Sequence, residues 1–255
     1  MAAEHADAVS DAKEHLAAKP DPRSPLAPLP AGFAETVASL HVVAEELLKP
    51  KRELETGNEI ALRFTPGGFG TIQWDRGLAA GEPGSVRVEG AELILVESGE
   101  ERRVPAGDLR AGAELLGVAA PGPATVPIDP EAAAALADWY ALGTVALGAL
   151  VDRHDGLSPA PIRLWPEHFD VATDLGDDAA GGRANYGASP GDPDHAEPYA
   201  YVGPWDQEVR GEAWNSTAFV GAELSHAELL DEGDQLAALL AFMESRLAEL
   251  QPAGG

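Results

Sequence analysis

The chain contains no cysteine among its 255 residues. Disulfide bonds, thiol nucleophiles and thiolate-bound zinc are therefore excluded, and this composition is typical of a reducing compartment. The opening stretch "MAAEHADAVSDAKEH" has acids where a secretory signal peptide has bases, and it lacks an apolar central run. Together these features predict a cytoplasmic protein.

Basic residues are also scarce. Lysine and arginine together number 17, against 43 aspartates and glutamates, and the formal net charge is -26. Such a chain is repelled by nucleic acid and by anionic membrane surfaces, so we expect neither as a partner. The charge predicts a soluble, acidic protein. The alternative explanations of the charge are a salt-adapted host and a cationic partner.

Long hydrophobic runs are missing apart from one stretch at residues 132–151. This stretch is rich in alanine and glycine, contains Asp138, and is flanked by acids instead of the basic anchors of a membrane span. It therefore predicts a buried core helix.

Prolines and acids dominate residues 1–30, which we expect to form a disordered leader. The rest, residues 31–255, predicts a single domain. Apolar residues recur with helical spacing from Phe33, and Pro50 is expected to end that helix. Two further helices are predicted after the N-cap residues Asp108 and Asp129, and a last helix is predicted from about Asp234 to Leu250.

Between the helices, short β-prone runs alternate with turns. The predicted strands are residues 59–64, 85–90, 92–98, 101–105, 161–165, 168–175, 198–203 and 214–220. The glycine-rich stretches around residues 176–197 and 203–213 are predicted to be long loops. The fold class that follows is α+β, with one or more antiparallel sheets and flanking helices.

The two halves of the chain share a short pattern. "IALRFTPGGFGT" and "PIRLWPEHFDVA" carry three matching residues at one constant offset: Arg63 with Arg163, Pro66 with Pro166, and Phe69 with Phe169. "VEGAEL" at 88–93 also echoes "FVGAEL" at 219–224. These matches predict half-repeats over 33–118 and 129–250, with chance similarity as the alternative.

The stretch "WPEHFDVATD" contains the candidate catalytic residues His168, Asp170 and Glu167. Strand alternation places Trp165 and Phe169 on a core face and His168 and Asp170 on the other. A bulge at Pro166, which would reverse these faces, is the alternative. A His-x-Asp pair on one strand face can bind a metal or act as a general base with an orienting acid. Glu167 would lie on the apolar face, where its pKa is raised or it pairs with Arg163. The alternative is a half-exposed strand with ordinary polar residues.

Aromatic residues are concentrated in the second half, where they suit the wall of a ligand pocket or a core equally well. His195 lies in an acidic loop beside Tyr199 and is either a ligand-binding residue or solvated. "GASPG" matches a hydrolase nucleophile motif, but Pro190 has no N–H for the oxyanion hole that must follow Ser189. The candidate ligand-binding residues are Arg163, Trp165, Tyr186, His195, Tyr199, Tyr201 and Trp205.

Two classes of function follow. The first is a small-molecule-binding protein or enzyme with an aromatic-lined cleft in the second half. The second is a non-catalytic, acidic protein–protein interaction module. No particular cofactor or metal is indicated by the residues.

Several stretches, most specifically "LWPEHFDVATDLG" and "EPYAYVGPW", resemble a set of bacterial, largely actinobacterial, hypothetical proteins. They are similar, more distantly, to a bacterial domain-of-unknown-function family that has related strands in the same order. The resemblance covers roughly residues 33–250. It implies a self-contained α+β protein from a GC-rich bacterium, and it implies no particular activity.

Overall fold

The structure is a computed structural model that describes residues 25–58, 60, 62–75 and 83–251. These residues form an α+β fold on one antiparallel sheet of ten strands. The strands are β1 Leu62–Thr65, β2 Gly68–Thr71, β3 Gly84–Glu89, β4 Glu92–Glu97, β5 Glu100–Pro105, β6 Arg163–Trp165, β7 Asp170–Leu175, β8 Ala184–Ser189, β9 Tyr199–Pro204 and β10 Ala222–Ser225. Their order across the sheet is β10-β9-β8-β7-β6-β1-β2-β3-β4-β5.

The helices pack on one face of this sheet. They are α1 Phe33–Val43, which a π-helical turn Ala44–Leu48 joins to α2 Lys49–Thr56, then α3 Leu109–Leu116, α4 Pro130–Arg153, α5 His226–Leu230 and α6 Gln235–Leu250. Asp108, Asp129 and Asp234 accept hydrogen bonds from the first turns of α3, α4 and α6. The N-cap predictions for Asp108 and Asp129 are confirmed, and the last helix begins where it was predicted.

Helix α4 lies at the centre of the core. It packs against α1 and α6 and crosses β1, β2, β7 and β8, and it buries large side chains such as Trp139 and Tyr140. Within the described residues α4 is the one helix whose length and composition would allow it to cross a membrane. Length and composition alone are weak evidence for a membrane span, because the core helix of a soluble protein can have the same properties.

Both halves of the chain build the same pattern of elements around the centre of the sheet. Strands β1 to β5 form one five-stranded meander and β6 to β10 form the other, and α1 and α4 respectively precede them. The halves meet where Leu62 pairs with Leu164, and the rings of Phe69 and Phe169 stand edge to face with centroids 5.0 Å apart. The two halves thus have the same order of strands, and the half-repeats stay a prediction.

The second sequence echo is not structurally equivalent. Residues 88–93 form the turn between β3 and β4, whereas residues 219–224 lead into the edge strand β10. The similarity of these two hexapeptides therefore does not reflect a shared position in the two halves.

Pro50 does not end the first helix, so that prediction is wrong. The helix continues as α2 to Thr56, with the π-helical turn immediately before the proline. A π turn widens the helix, which relieves the clash between a proline ring and the carbonyl four residues earlier.

Two strands lie where loops were predicted, and one predicted strand is absent. Strand β2 is the sequence "GFGT", and β8 is "ANYGAS" within the stretch predicted to be a long loop. Residues 214–220 are irregular, and the edge strand begins at Ala222. The other predicted strands are present within a few residues of their expected bounds.

The prediction of a disordered leader does not hold for its described residues, 25–30. Leu26 is 8% exposed, and its backbone N–H donates to Oε1 of Gln235 on α6 at 2.7 Å. Nε2 of Gln235 also donates to the Leu26 carbonyl at 3.4 Å, so Leu26 is held against α6 by both of its backbone groups. The expectation for residues 1–24 lies outside the described residues.

Candidate functional site

A cleft of about 620 Å³ opens on the face of the sheet opposite the helices, over the second half of the chain. Its floor is formed by the residues of β7, β8 and β9 that face away from the helices: Asp170, Asn185, Ser189, Tyr199, Tyr201 and Gly203. Its rim comes from turns and loops and includes His41, Glu167, His168, Asp192, Gln207, Phe219 and Val220.

The turn between β6 and β7 positions the cleft's buried acid. Trp165 pairs with Asp170, so four residues close the turn, and Phe169 adopts a left-handed conformation with φ 54°. The Nε2 atom of His41 donates to the Pro166 carbonyl at 2.7 Å, and its ring stacks on Phe169. The buried Tyr140 hydroxyl donates to the Phe169 carbonyl. These contacts from α1 and α4 fix the start of β7.

Asp170 is only 5% exposed although its side chain lines the cleft. Its Oδ2 accepts a hydrogen bond from the Tyr201 hydroxyl, while Oδ1 is buried and has no hydrogen-bond partner among the described residues. Burial raises the pKa of this carboxyl, against the opposing effects of the Tyr201 hydrogen bond and of nearby His168. A buried carboxyl with a raised pKa in a cleft is typical of a functional group.

Tyr201 reaches Asp170 by lying across β8. It pairs with Gly187, and a side chain at Gly187 would overlap the ring and the hydroxyl of Tyr201. Burial and the negative Asp170 raise the pKa of Tyr201 well above its usual value, so the tyrosine remains a hydrogen-bond donor.

A second cluster closes one end of the cleft. Asp192 accepts hydrogen bonds from the Tyr199 hydroxyl at 2.6 Å and from Nδ1 of His195 at 3.0 Å. The other ring nitrogen of His195 lies 3.2 Å from Oε1 of Glu223 on β10. Burial lowers the pKa of His195, but the hydrogen bond to Asp192 and the charge of Glu223 outweigh it, and the pKa is raised. The cluster thus ties the loop after β8 to the edge strand.

The structure brings together several residues that the sequence singled out. His168, Glu167, Asp170, Tyr199 and Tyr201 all line the cleft, and His195 packs against the ring of Tyr199 with centroids 4.2 Å apart. His168 is exposed at the rim. It belongs to the turn and not to the strand.

The predicted faces of the "WPEHFDVATD" stretch need correction. Because Trp165 pairs directly with Asp170, both side chains lie on the same face, and Trp165 is not a core residue opposite to it. Glu167 is exposed and pairs with Nζ of Lys49 at 2.9 Å instead of Arg163. Burial tends to raise the pKa of Glu167, but Lys49 lowers it overall. The four-residue turn 166–169 causes the change of faces, in line with the alternative that Pro166 reverses them.

Five predicted ligand-binding residues lie outside the cleft lining, and His195, already described, is one of them. Tyr186 is fully buried on the helix face of β8. Trp205 is 47% exposed and donates to Oδ1 of Asn185 at 3.0 Å, so it supports the cleft from outside. Arg163 and Trp165, on β6, are half-buried on the cleft's face of the sheet but do not line it.

Other cleft residues were missed by sequence reasoning. Asn185 and Ser189 belong to the unpredicted strand β8, and Phe219 and Val220 lie where a strand was predicted. The motif "DPDH" carried a usable signal for Asp192, because an aspartate in this setting commonly accepts bonds from the next amides of a turn. Asp192 accepts from the amides of Asp194 and His195.

No cluster of three or more histidine, aspartate or glutamate side chains suited to a metal ion occurs in the described part of the chain. Comparison with protein-family models, curated proteins and solved structures found no match.

Proposed function

We propose that the cleft over β7, β8 and β9 binds a small organic molecule. The observation that carries the proposal is Asp170, a carboxyl buried beneath the cleft with one oxygen lacking a partner among the described residues. Buried polar groups are normally paired, and an exception in a concave site is typical of a group that pairs with a ligand.

The size and lining of the cleft support the same proposal. Ligand sites commonly have volumes of about 300–1,000 Å³, with aromatic walls and a few convergent polar groups. The cleft of about 620 Å³ lies within this range and combines Tyr199, Tyr201 and Phe219 with polar groups of Asn185 and Ser189. If the bound molecule reacts, Asp170 is the residue suited to accept or donate a proton, because its pKa is raised.

A blocked cleft tests the proposal. Val220 lines the mouth, and Val220→Trp should fill it. Val209 is half-buried in the same connection between β9 and β10 but does not line the cleft, so Val209→Trp is the matched control. The probes are a mixture of neutral, cationic and anionic monosubstituted benzenes, and binding is followed by amide NMR shifts.

We expect shifts at cleft residues in the wild type and in Val209→Trp, and their loss in Val220→Trp. Shifts that persist unchanged in Val220→Trp, or that fall on residues away from the cleft, would contradict the proposal. Added basic proteins test the alternative function. If they alone shift the amide signals, and the shifted residues cover a broad surface, the result favours a protein–protein interaction module.

We also propose a cytoplasmic location and a relationship to the hypothetical bacterial proteins that the sequence resembles. These two proposals are supported by the absence of cysteine, the net charge of -26 and the motifs described above. Neither is needed for the argument about the cleft.

A further inference from the structure

We propose that the molecule bound in this cleft is a cation, a protonated amine or guanidine whose charged group pairs with Asp170 and whose apolar part lies among Tyr199, Tyr201 and Phe219. This inference rests on the proposed function and names the chemical class of its ligand. Three independent features of the cleft lead to it.

The first feature is the charge of the lining. The described lining residues include the acids Glu167, Asp170 and Asp192 but neither lysine nor arginine. Lys49, outside the lining, pairs with Glu167 at the rim and so reduces its contribution. Asp192, also at the rim, already accepts hydrogen bonds from Tyr199 and His195. Asp170 lies beneath the cleft and is the acid that favours a positive ligand. An anion would approach it against a net charge of -26.

The second feature is the arrangement around Asp170. The Tyr201 hydroxyl already bonds to Oδ2, which leaves Oδ1 as the acceptor without a partner among the described residues. A buried carboxylate without a partner is unfavourable, and a hydrogen bond from a cation to a carboxylate is about twice as strong as a neutral one. The ammonium group of a ligand therefore gains more binding free energy at this position than the hydroxyl group of an alcohol of the same shape.

The third feature is the aromatic wall. The rings of Tyr199 and Tyr201 have centroids 6.1 Å apart, and Phe219 meets Tyr201 edge to face at 6.2 Å. Aromatic faces attract ammonium and guanidinium groups as well as apolar carbon. The wall thus suits a ligand that joins a charged group to a hydrocarbon or ring.

The ionisation of Asp170 links binding to pH. The pKa of the free carboxyl is raised by burial, and the titratable groups that face it are Tyr201 on β9, His168 in the turn and Tyr140 on α4. A cation favours the ionised carboxylate and lowers this pKa, so binding releases a proton at any pH near or below the pKa of the free carboxyl. Affinity for the amine should therefore increase as pH rises through the pKa of free Asp170.

Three probes of similar shape separate charge from shape: 2-phenylethylamine, 2-phenylethanol and phenylacetate. We expect the amine to bind the full-length wild-type chain roughly tenfold or more tightly than the alcohol, and phenylacetate to bind least. Amide NMR titrations provide affinities and positions, and calorimetry in two buffers counts the released proton.

Asp170→Asn keeps the size of the side chain and an acceptor for Tyr201 but removes the charge. Asp178→Asn, at an exposed position in the turn after β7, is the matched control. We expect Asp170→Asn to lose the preference for the amine over the alcohol, and Asp178→Asn to keep it. Far-UV circular dichroism and a thermal melt establish that both variants are folded.

The comparison of the three probes on the wild-type protein tests the cation inference even if Asp170→Asn does not fold. If the alcohol or phenylacetate binds the cleft as tightly as the amine, the cation inference is contradicted. The proposal of a small-molecule site is still supported by that result. If none of the three probes shifts the cleft residues, both the cation inference and the small-molecule proposal are contradicted.

Discussion

Asp170 and His168 are two residues apart, and the structure gives them opposite environments. Asp170 begins β7 and is buried beneath the cleft, whereas His168 lies in the preceding turn and is exposed at the rim. The environment of each is set by the left-handed conformation of Phe169 between them. Their contributions to stability should differ for the same reason.

His168→Ala tests this difference at the residue scale. Because His168 is exposed at the rim, the substitution should change the free energy of unfolding by less than about 0.5 kcal/mol while weakening ligand binding in the cleft. His41→Ala is the comparison, since His41 donates to the Pro166 carbonyl and stacks on Phe169. We expect a loss of about 1–3 kcal/mol there.

Urea denaturation of both variants measures these changes. A loss of several kcal/mol from His168→Ala would show that His168 has a structural role. Equal and small effects of the two substitutions would show that His41 does not hold the turn.

At the scale of elements, β8 explains why part of the site could not be predicted. Its sequence "ANYGAS" lacks the β-branched residues that favour strands, and glycine usually weakens a strand. The small residues are required by neighbours on both faces. Tyr201 lies over Gly187 on the cleft side, and on the other side Ala188 faces Gly143 of α4 with no room for a side chain on that glycine.

Gly187→Ala tests the close contact between β8 and β9. The added methyl group would overlap the Tyr201 ring, and overpacking of this kind commonly costs about 1–3 kcal/mol. Displacing Tyr201 would also break its hydrogen bond to Asp170 and weaken binding in the cleft.

Gly148→Ala is the matched control. Gly148 lies inside α4 with no atom near its potential side chain, so alanine should stabilise the helix by up to about 1 kcal/mol. Thermal and urea unfolding of the two variants measure the changes. Similar effects at the two glycines would contradict the proposed contact with Tyr201.

At the scale of the whole molecule, the two meanders share one core. Helix α4 precedes the second meander, yet it packs against β1 and β2 of the first as well as β7 and β8 of the second. In the sheet, Leu62 of the first meander pairs with Leu164 of the second among the residues that the structure describes. The halves are therefore joined through the helix layer as well as through the sheet.

A chain cut between Gly122 and Pro123, both exposed in the irregular connection after α3, should give two fragments that reassemble. Each fragment alone would expose the apolar face that α4 buries, so we expect neither to fold cooperatively as a monomer. Circular dichroism and size-exclusion chromatography of the separate and mixed fragments measure this. A second-half fragment that unfolds cooperatively by itself as a monomer would show two independent domains.

Much of the fold could be predicted because its signals are local. Helix caps such as Asp108, Asp129 and Asp234 act within four residues of the chain, and the alternation of β3 and β4 is visible in their own sequences. Asp170, His168, Tyr199 and Tyr201 of the cleft were identified from their residue types, which suit a site wherever they lie. His41, which also lines the cleft, was not identified.

Tertiary structure decided how these pieces face one another. The length of the turn before Asp170 placed Trp165 on the same face as this acid, and a lysine from another helix became the partner of Glu167. Strand β8 forms because its small residues fit between Tyr201 and α4. A local pattern depends on the nearest few residues, whereas register and close packing depend on residues distant in sequence, and only the folded chain brings those together.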